Sequence, residues 1–273
     1  QNFSSKSFKT YSKNELEEEL KKHPTSFLSI INIKKNPRLE IEKTERYELV
    51  KEKFEAFKAS NILITDTAPS YYIYETEQAN GHLFCGVIAT ASVKDYDTHV
   101  IKKHEATISK RENTFKNYLQ TVRFNAAPVL LTYADDLSLE TGIQNAKKKA
   151  SEFNSWTTEN ETHKLWCIDV AEDVAFIQKG FQKIPSLYIA DGHHRSASSA
   201  LLARELSQKE HTTTDASFNY FLTYLIPESQ LKIYDYNRVI KDLNGLKFEA
   251  FLEKISIDFE VINKGSKPYK SSN

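Results

Sequence analysis

The 273 residues suffice for one large domain or two small ones with a sizeable core, and 40% hydrophobic and 27% charged residues are ordinary globular values. Lys plus Arg (37) balances Asp plus Glu (37), which excludes the basic excess of a general nucleic-acid coat or a membrane-surface protein. No apolar run approaches the length that spans a bilayer. The opening QNFSSKSFKTYSK lacks the apolar core of a secretion signal, so the cytoplasm is the expected location.

Read from the start, Ser12 and Glu15 form an S-x-x-E capping box ahead of the helical run ELEEELKK, which Pro24 stops. SFLSIINI (26–33) is expected to be a buried strand. Tyr47, Val50, Phe54 and Phe57 recur at spacings of three and four and predict an amphipathic helix over about 44–60. SYYIYETE and HLFCGVIATASV flank Asn80-Gly81, a hairpin signal. A charged segment from Lys94 follows and is expected to hold one helix near its end. Strand APVLLTY, helix SLETGIQNAKKKASEF, strand HKLWCIDV, helix AEDVAFIQKGF, strand SLYIA and helix RSASSALLAREL then alternate, with Val174, Ile177 and Phe181 on one helix face. NYFLTYLIP, QLKIYDYNRVIK and DFEVIN are expected as strands and KFEAFLEKI as a helix. The pattern predicts a mixed α/β fold, a sheet covered by helices with a β-hairpin region near the N-terminus. One continuous domain over 1–273 is expected, or two joined halves, 1–100 and 101–273.

Cys85 and Cys167 both sit in apolar runs without CxxC or metal-type spacing, and are expected to be buried, reduced thiols. The chain begins at Gln1 and contains no methionine, which suggests a fragment of a longer chain.

The segment richest in chemistry is SLYIADGHHRSASSALLAREL. An apolar strand ends at Ala190, Asp191-Gly192 turns, and a helix rich in small residues begins. Exposed N–H groups at a helix start, with their partial positive charge, favour an anion. His193, His194 and Arg195 add donors at the same place, and Arg can grip a phosphate with two parallel hydrogen bonds. Asp191 can bind magnesium or accept a proton. Asp191 would serve equally as a plain helix cap, Gly192 as a turn glycine and the basic residues as a solvated face. A zinc site made of His193 and His194 alone is disfavoured, because neighbouring helix residues diverge by roughly 100°.

IKKHEAT is the second candidate, with His104 and Glu105 as an acid/base or metal pair; a solvated loop is its plain reading. His163 reads as a strand-edge histidine, and Asp169 could share the cleft of Asp191. Arg123 and Asn125, before APVLLTY, are weaker candidates. GxxxxGK[ST], GxGxxG after a strand, GxSxG and HExxH are all absent.

YIADGHHRSASSAL, IKKHEAT, PSYYIYE, GVIATASVKDYD, HKLWCID and YNRVIKDLNG occur in the order seen in the domain of unknown function 1015 family, which the chain resembles from about Ser12 to Gly245. The resemblance implies a longer chain, with an early Pro-Tyr-Asp segment and a C-terminal portion that are missing here. Position 196 is Ser where the family often has Tyr. The Gly-His-His-Arg run opening a helix is also similar to the phosphate-binding motif of the ParB/sulfiredoxin superfamily, which includes free-serine kinases. That similarity implies a ParB/sulfiredoxin-like element around ADGHHR, with Gly192, His193, His194, Arg195 and Ser196 holding phosphates. Glu105, Asp191 and His104 are then the candidate catalytic residues, and Asp191 and Glu105 the candidate magnesium ligands.

The expected function is a nucleotide-dependent phosphotransferase acting on a small hydroxylated, serine-like metabolite, with Mg2+ and ATP or ADP. The alternatives are a metal-assisted phosphohydrolase using the same residues, and a nucleotide-binding regulator without catalysis. The expected partners are a small substrate and a nucleotide, with neither membrane nor nucleic acid. IKKHEAT is expected to converge on the ADGHHR pocket although nearly ninety residues separate them.

Overall fold

In the computed structural model, which describes residues 3–5, 8–32, 43–158, 160–210, 216–234 and 241–265, the capping box at Ser12 is complete. The Ser12 N–H donates to Glu15 Oε2 at 2.7 Å and the Glu15 N–H to Ser12 Oγ at 3.3 Å, opening α1 (Lys13–Lys22). The run 26–33 is not a strand. Ser26 caps a short helix, α2 (Phe27–Ile31), that buries Leu28 and Ile30. A brief apolar run has no period of its own, so the cap and the neighbouring helices decide. Ile33 lies outside the described residues.

The predicted amphipathic helix is α3 (Lys43–Ala59). Val50 joins Ile30 and Val122 in a small cluster ringed by aromatics, where Phe54 and Phe124 stack at 4.2 Å and Tyr47 meets Tyr118 edge-on at 5.2 Å. The hairpin forms as expected between β1 (Tyr71–Gln78) and β2 (Leu83–Ser92), with Gly81 at φ 79° in the turn. The charged segment holds more than one helix. Ser92 caps α4 (Val93–Asp97), a two-residue strand β3 (Ile101–Lys102) follows, and then α5 (Ser109–Val122).

Alternation then proceeds through β4 (Val129–Tyr133), α6 (Leu137–Lys149), β5 (Glu152–Thr157), β6 (Glu161–Ile168), α7 (Ala171–Lys183), β7 (Leu187–Asp191), α8 (His193–Glu210) and β8 (Tyr220–Pro227). β5 begins where a continuing helix was expected, because Ala150 turns extended and the chain pairs antiparallel with β6. The eight strands make one mixed sheet in the order β3-β7-β4-β8-β2-β1-β6-β5, so strands from both sides of residue 100 share it. β3/β7 and β4/β8 are parallel and the other pairs antiparallel.

The main core lies between one sheet face and α6, α7 and α8. Ile73, Val87, Leu131, Ile189, Phe221 and Leu225 meet Leu139, Ile143, Ile177, Ala197 and Ala200. Val174 and Phe181 pack at its edge, as their spacing with Ile177 predicts. α8 also packs against α5, so it is covered on two sides. That sandwich explains its small residues: Ser196, Ala197, Ser198 and Ala200 are all buried and let the backbones come close.

The described residues divide into two compact units, Gln1–Leu231 and Lys232–Asn273. The second holds α9 (Phe248–Ile255), the predicted C-terminal helix. DFEVIN (258–263) is not a strand: the Asp258 and Phe259 N–H groups both donate to Ile255 O, continuing the turn that ends α9. Of QLKIYDYNRVIK, 231–234 form no strand and 235–240 lie outside the described residues.

Both cysteines are free, Cys85 buried and Cys167 only half-buried, so the expectation of burial holds for the first alone. Burial pushes the Cys85 thiol up from its ordinary value, opposed by the nearby Lys147. In the folded protein Cys167 should react with iodoacetamide well before Cys85, as mass spectrometry of timed samples will show; equal rates would contradict the buried placement. His163 is not at a sheet edge. It lies on β6 between β1 and β5, accepts or donates at 2.7 Å with the Tyr74 hydroxyl, and stacks on Trp156. Burial lowers its pKa.

Candidate functional site

The site begins with an irregularity in the sheet. β7 runs antiparallel to β4, but the register steps from Leu131↔Ile189 to Leu130↔Asp191, leaving Ala190 bulged. Bulges re-aim the chain at a strand end, and here the next residue is Gly192 at φ 105°. α8 starts at once, its first intrahelical bond running from Ser196 N–H to Gly192 O at 3.0 Å. The N–H groups of His193, His194 and Arg195 precede that bond and are not used by the helix.

Arg195 folds back rather than reaching out. Its guanidinium pairs with Asp191 Oδ2 at 2.5 Å and donates to the Pro128 carbonyl. It therefore fastens the end of β7 and the entry to β4 to the first turn of α8. Gly192 makes room for it: a Cβ there would meet the guanidinium at 3.1 Å, on a backbone that L-residues rarely adopt. Gly192→Ala is expected to destabilise the protein by about 1–3 kcal/mol and to weaken anion binding, because either the turn or the Arg195 clamp must yield. Thermal melting with and without tripolyphosphate checks this; an unchanged melt and affinity would mean that the turn tolerates a side chain.

The segment 103–108 meets α8 directly. The His104 N–H donates to His193 Nε2 at 3.5 Å, and the Ile108 N–H donates to His194 Nε2 at 3.2 Å. An imidazole nitrogen that accepts carries no proton, so these two contacts leave Nδ1 as the N–H of each ring. In His193 that proton faces Glu105 Oε2, 3.6 Å away. The His104 ring packs edge-on against His193 at 4.4 Å. His193 is buried, and burial first, then the charge of His104, lowers its pKa, with Glu105 and Asp191 opposing. The Thr107 hydroxyl donates to Glu112 on the first turn of α5, fixing the other end of the segment.

α5 forms the facing wall. It is held to α8 by Lys116, which donates to both carboxylate oxygens of Glu205 at 2.8 Å. Ile108, at its N-cap, offers no side-chain cap. Two helix starts, α5 and α8, thus border one open cleft of about 730 Å³, lined by Glu105, Lys110, Arg111, Thr114, Phe115, Asp191, Gly192, His193, His194 and Arg195.

The structure therefore brings Glu105, Asp191, Gly192, His193, His194 and Arg195 to one cleft. Ser196 is not there: it is fully buried, and its hydroxyl donates to the Gly192 and His193 carbonyls, as a serine inside a helix sandwiched on two sides must. His104 does not line the cleft but supports His193 from behind. Asp169 lines a different cleft, with Lys149 and Asp173. Arg123 ends α5 in the left-handed region, and neither it nor Asn125 lines the cleft. Sequence reading missed Lys110, Arg111, Thr114 and Phe115, because their helix start carries no cap signal and shares no segment with ADGHHR.

Among the described residues no three His, Cys, Asp or Glu side chains are arranged to hold a metal ion. Magnesium asks for less, one or two carboxylates completed by substrate phosphates and water, and Glu105 and Asp191 both reach the cleft. No described helix is long and apolar enough to cross a membrane.

Compared with known proteins, residues 1–273 match the family described as protein of unknown function (DUF1015). No curated protein and no solved structure matches.

Proposed function

The chain belongs to the DUF1015 family, and on that premise we propose that its cleft is the active site of a nucleotide-dependent phosphotransferase acting on a small hydroxylated, serine-like metabolite. The observation that carries this reading is the Glu105 carboxylate standing 3.6 Å from His193 Nδ1 at the mouth of an anion cradle. The cradle consists of the first N–H groups of α8, the His194 Nδ1–H, Lys110 and Arg111. Such groups position phosphates and offset their charge, which is most of what phosphoryl transfer requires. Glu105 would take the proton of the metabolite hydroxyl as its oxygen bonds to the terminal phosphorus and the nucleotide oxygen departs. His193 Nδ1–H holds that carboxylate in place. Magnesium, held by Glu105 or Asp191, would neutralise the phosphate oxygens when bound.

The similarity of the Gly-His-His-Arg helix start to the ParB/sulfiredoxin phosphate motif supports the same assignment. The two free cysteines fit a reducing compartment, the cytoplasm. The openness of the cleft, with the Glu105 side chain 62% exposed, favours one second reading, a phosphohydrolase in which water replaces the hydroxyl.

The test is direct. Full-length protein is incubated with Mg2+ and ATP or ADP and a panel of small hydroxy acids and hydroxy amino acids, and followed by phosphorus NMR. A new phosphomonoester signal that needs an acceptor is the expected result. Inorganic phosphate released with or without acceptor selects the hydrolase. Nucleotide binding with no product in either assay leaves a regulator without catalysis.

A further inference from the structure

Phe115 is a large apolar side chain that the fold leaves exposed. It is 42% exposed and belongs to neither buried cluster, although Tyr118 and Val122, further along α5, pack into one of them. It lines the same cleft as Lys110, Arg111, His194 and Arg195. Among the described residues neither Lys110 nor Arg111 has an ion-pair partner, so their charges are free for a ligand. Arg111 and Phe115 are four residues apart, on one face of α5 and roughly 6 Å apart along its axis. One pentose separates a phosphate from a base by a comparable span.

We propose that Phe115 is the base platform of the nucleotide site, with the phosphates between the start of α8 and Lys110 and Arg111, and the base lying on the phenyl ring. This rests on the reading of the cleft as a phosphotransferase site and adds which part of the ligand goes where. A ring face attracts any base, more strongly the larger bicyclic purines. Reading base edges needs placed donors and acceptors, and among the residues that line the cleft the one hydroxyl, Thr114, already donates its proton to the Lys110 carbonyl at 2.9 Å. The site therefore prefers purine to pyrimidine nucleotides and discriminates little between the two purines.

Calorimetric titration of the full chain with Mg2+-ATP, GTP, CTP and inorganic tripolyphosphate tests this, on wild type and on Phe115→Ala, Phe115→Leu and Phe115→Trp. Phe115→Ala is expected to weaken ATP roughly 5- to 150-fold, the range of one stacked base, with tripolyphosphate unchanged within about twofold. Phe115→Leu should behave like Ala, since it restores bulk but no ring, and Phe115→Trp should bind ATP at least as well as wild type. GTP should match ATP, and CTP should be weaker. Variants that bind ATP and tripolyphosphate in the wild-type ratio overturn the platform while leaving the anion cradle standing. A wild type that binds neither probe overturns both. If Phe115→Ala fails to fold by circular dichroism, the Leu-to-Trp contrast decides alone.

Discussion

Glu105→Gln is expected to lower turnover by about 10²–10⁴, the usual worth of a positioned general base, while nucleotide affinity stays within a few-fold. The amide is isosteric and keeps the contact with His193 Nδ1, but it cannot accept the hydroxyl proton. The groups assigned to the phosphates are separate: the α8 N–H groups, His194, Lys110 and Arg111 are untouched by the change. Steady-state kinetics with binding measured separately gives the split between kcat and affinity. Arg195→Ala should act differently. Because its guanidinium is held by Asp191 and the Pro128 carbonyl, its loss loosens the β7–α8 turn and lowers stability together with affinity. If Glu105→Gln keeps full activity, the carboxylate is not the base, and Asp191, exposed at the same cleft, takes its place.

Much of this site could be read in the sequence because its key features are local. The strand, the Asp191-Gly192 turn and the helix from His193 are contiguous, and Gly at a positive φ is the ordinary way to make such a turn. The meeting of Glu105 with His193 was expected from chemistry, since a cradle rich in positive charge lacks a base. Position alone did not reveal that Arg195 and Ser196 turn inward. That depends on Pro128, which comes from the entry to another strand, and on α5 lying over α8. Lys110, Arg111 and Phe115 were hidden for the same reason, as only the packing of α5 brings them to the cleft. The fold shows the same division. Elements with a full capping box or a sustained period, α1, α3, α7 and the hairpin, were legible. The short pieces α2, α4 and β5 have no period; a lone serine cap starts the first two and pairing with β6 decides the third.

Glu75 was the least legible residue of the core and yields the largest stability effect. In SYYIYETE a glutamate gives no sign of burial, yet strand alternation puts Glu75 on the side of Ile73 and Cys85, and its side chain is only 8% exposed. Its partner is Lys147 of α6, whose ammonium also sits 4.6 Å from the centre of the Trp166 ring. Breaking a buried pair costs about 3–5 kcal/mol, because one charge is left without water or partner. Here the two halves differ. The Lys147 side chain is 19% exposed and can carry its charge towards solvent along a flexible stem. Glu75 is fixed on β1 and cannot. Lys147→Met should therefore be the worst variant, near the full cost, and Glu75→Leu milder, at about 2–3 kcal/mol. The double variant should recover most of the loss, since two apolar side chains pack where two charges did and methionine keeps a sulfur–aromatic contact with Trp166. For a unit of this size each kcal/mol moves the melting point by roughly 2–4 °C. Thermal unfolding of the four proteins in the double-mutant cycle measures the coupling. Losses that simply add would mean that Glu75 and Lys147 stabilise the sheet independently and that the pair between them contributes nothing.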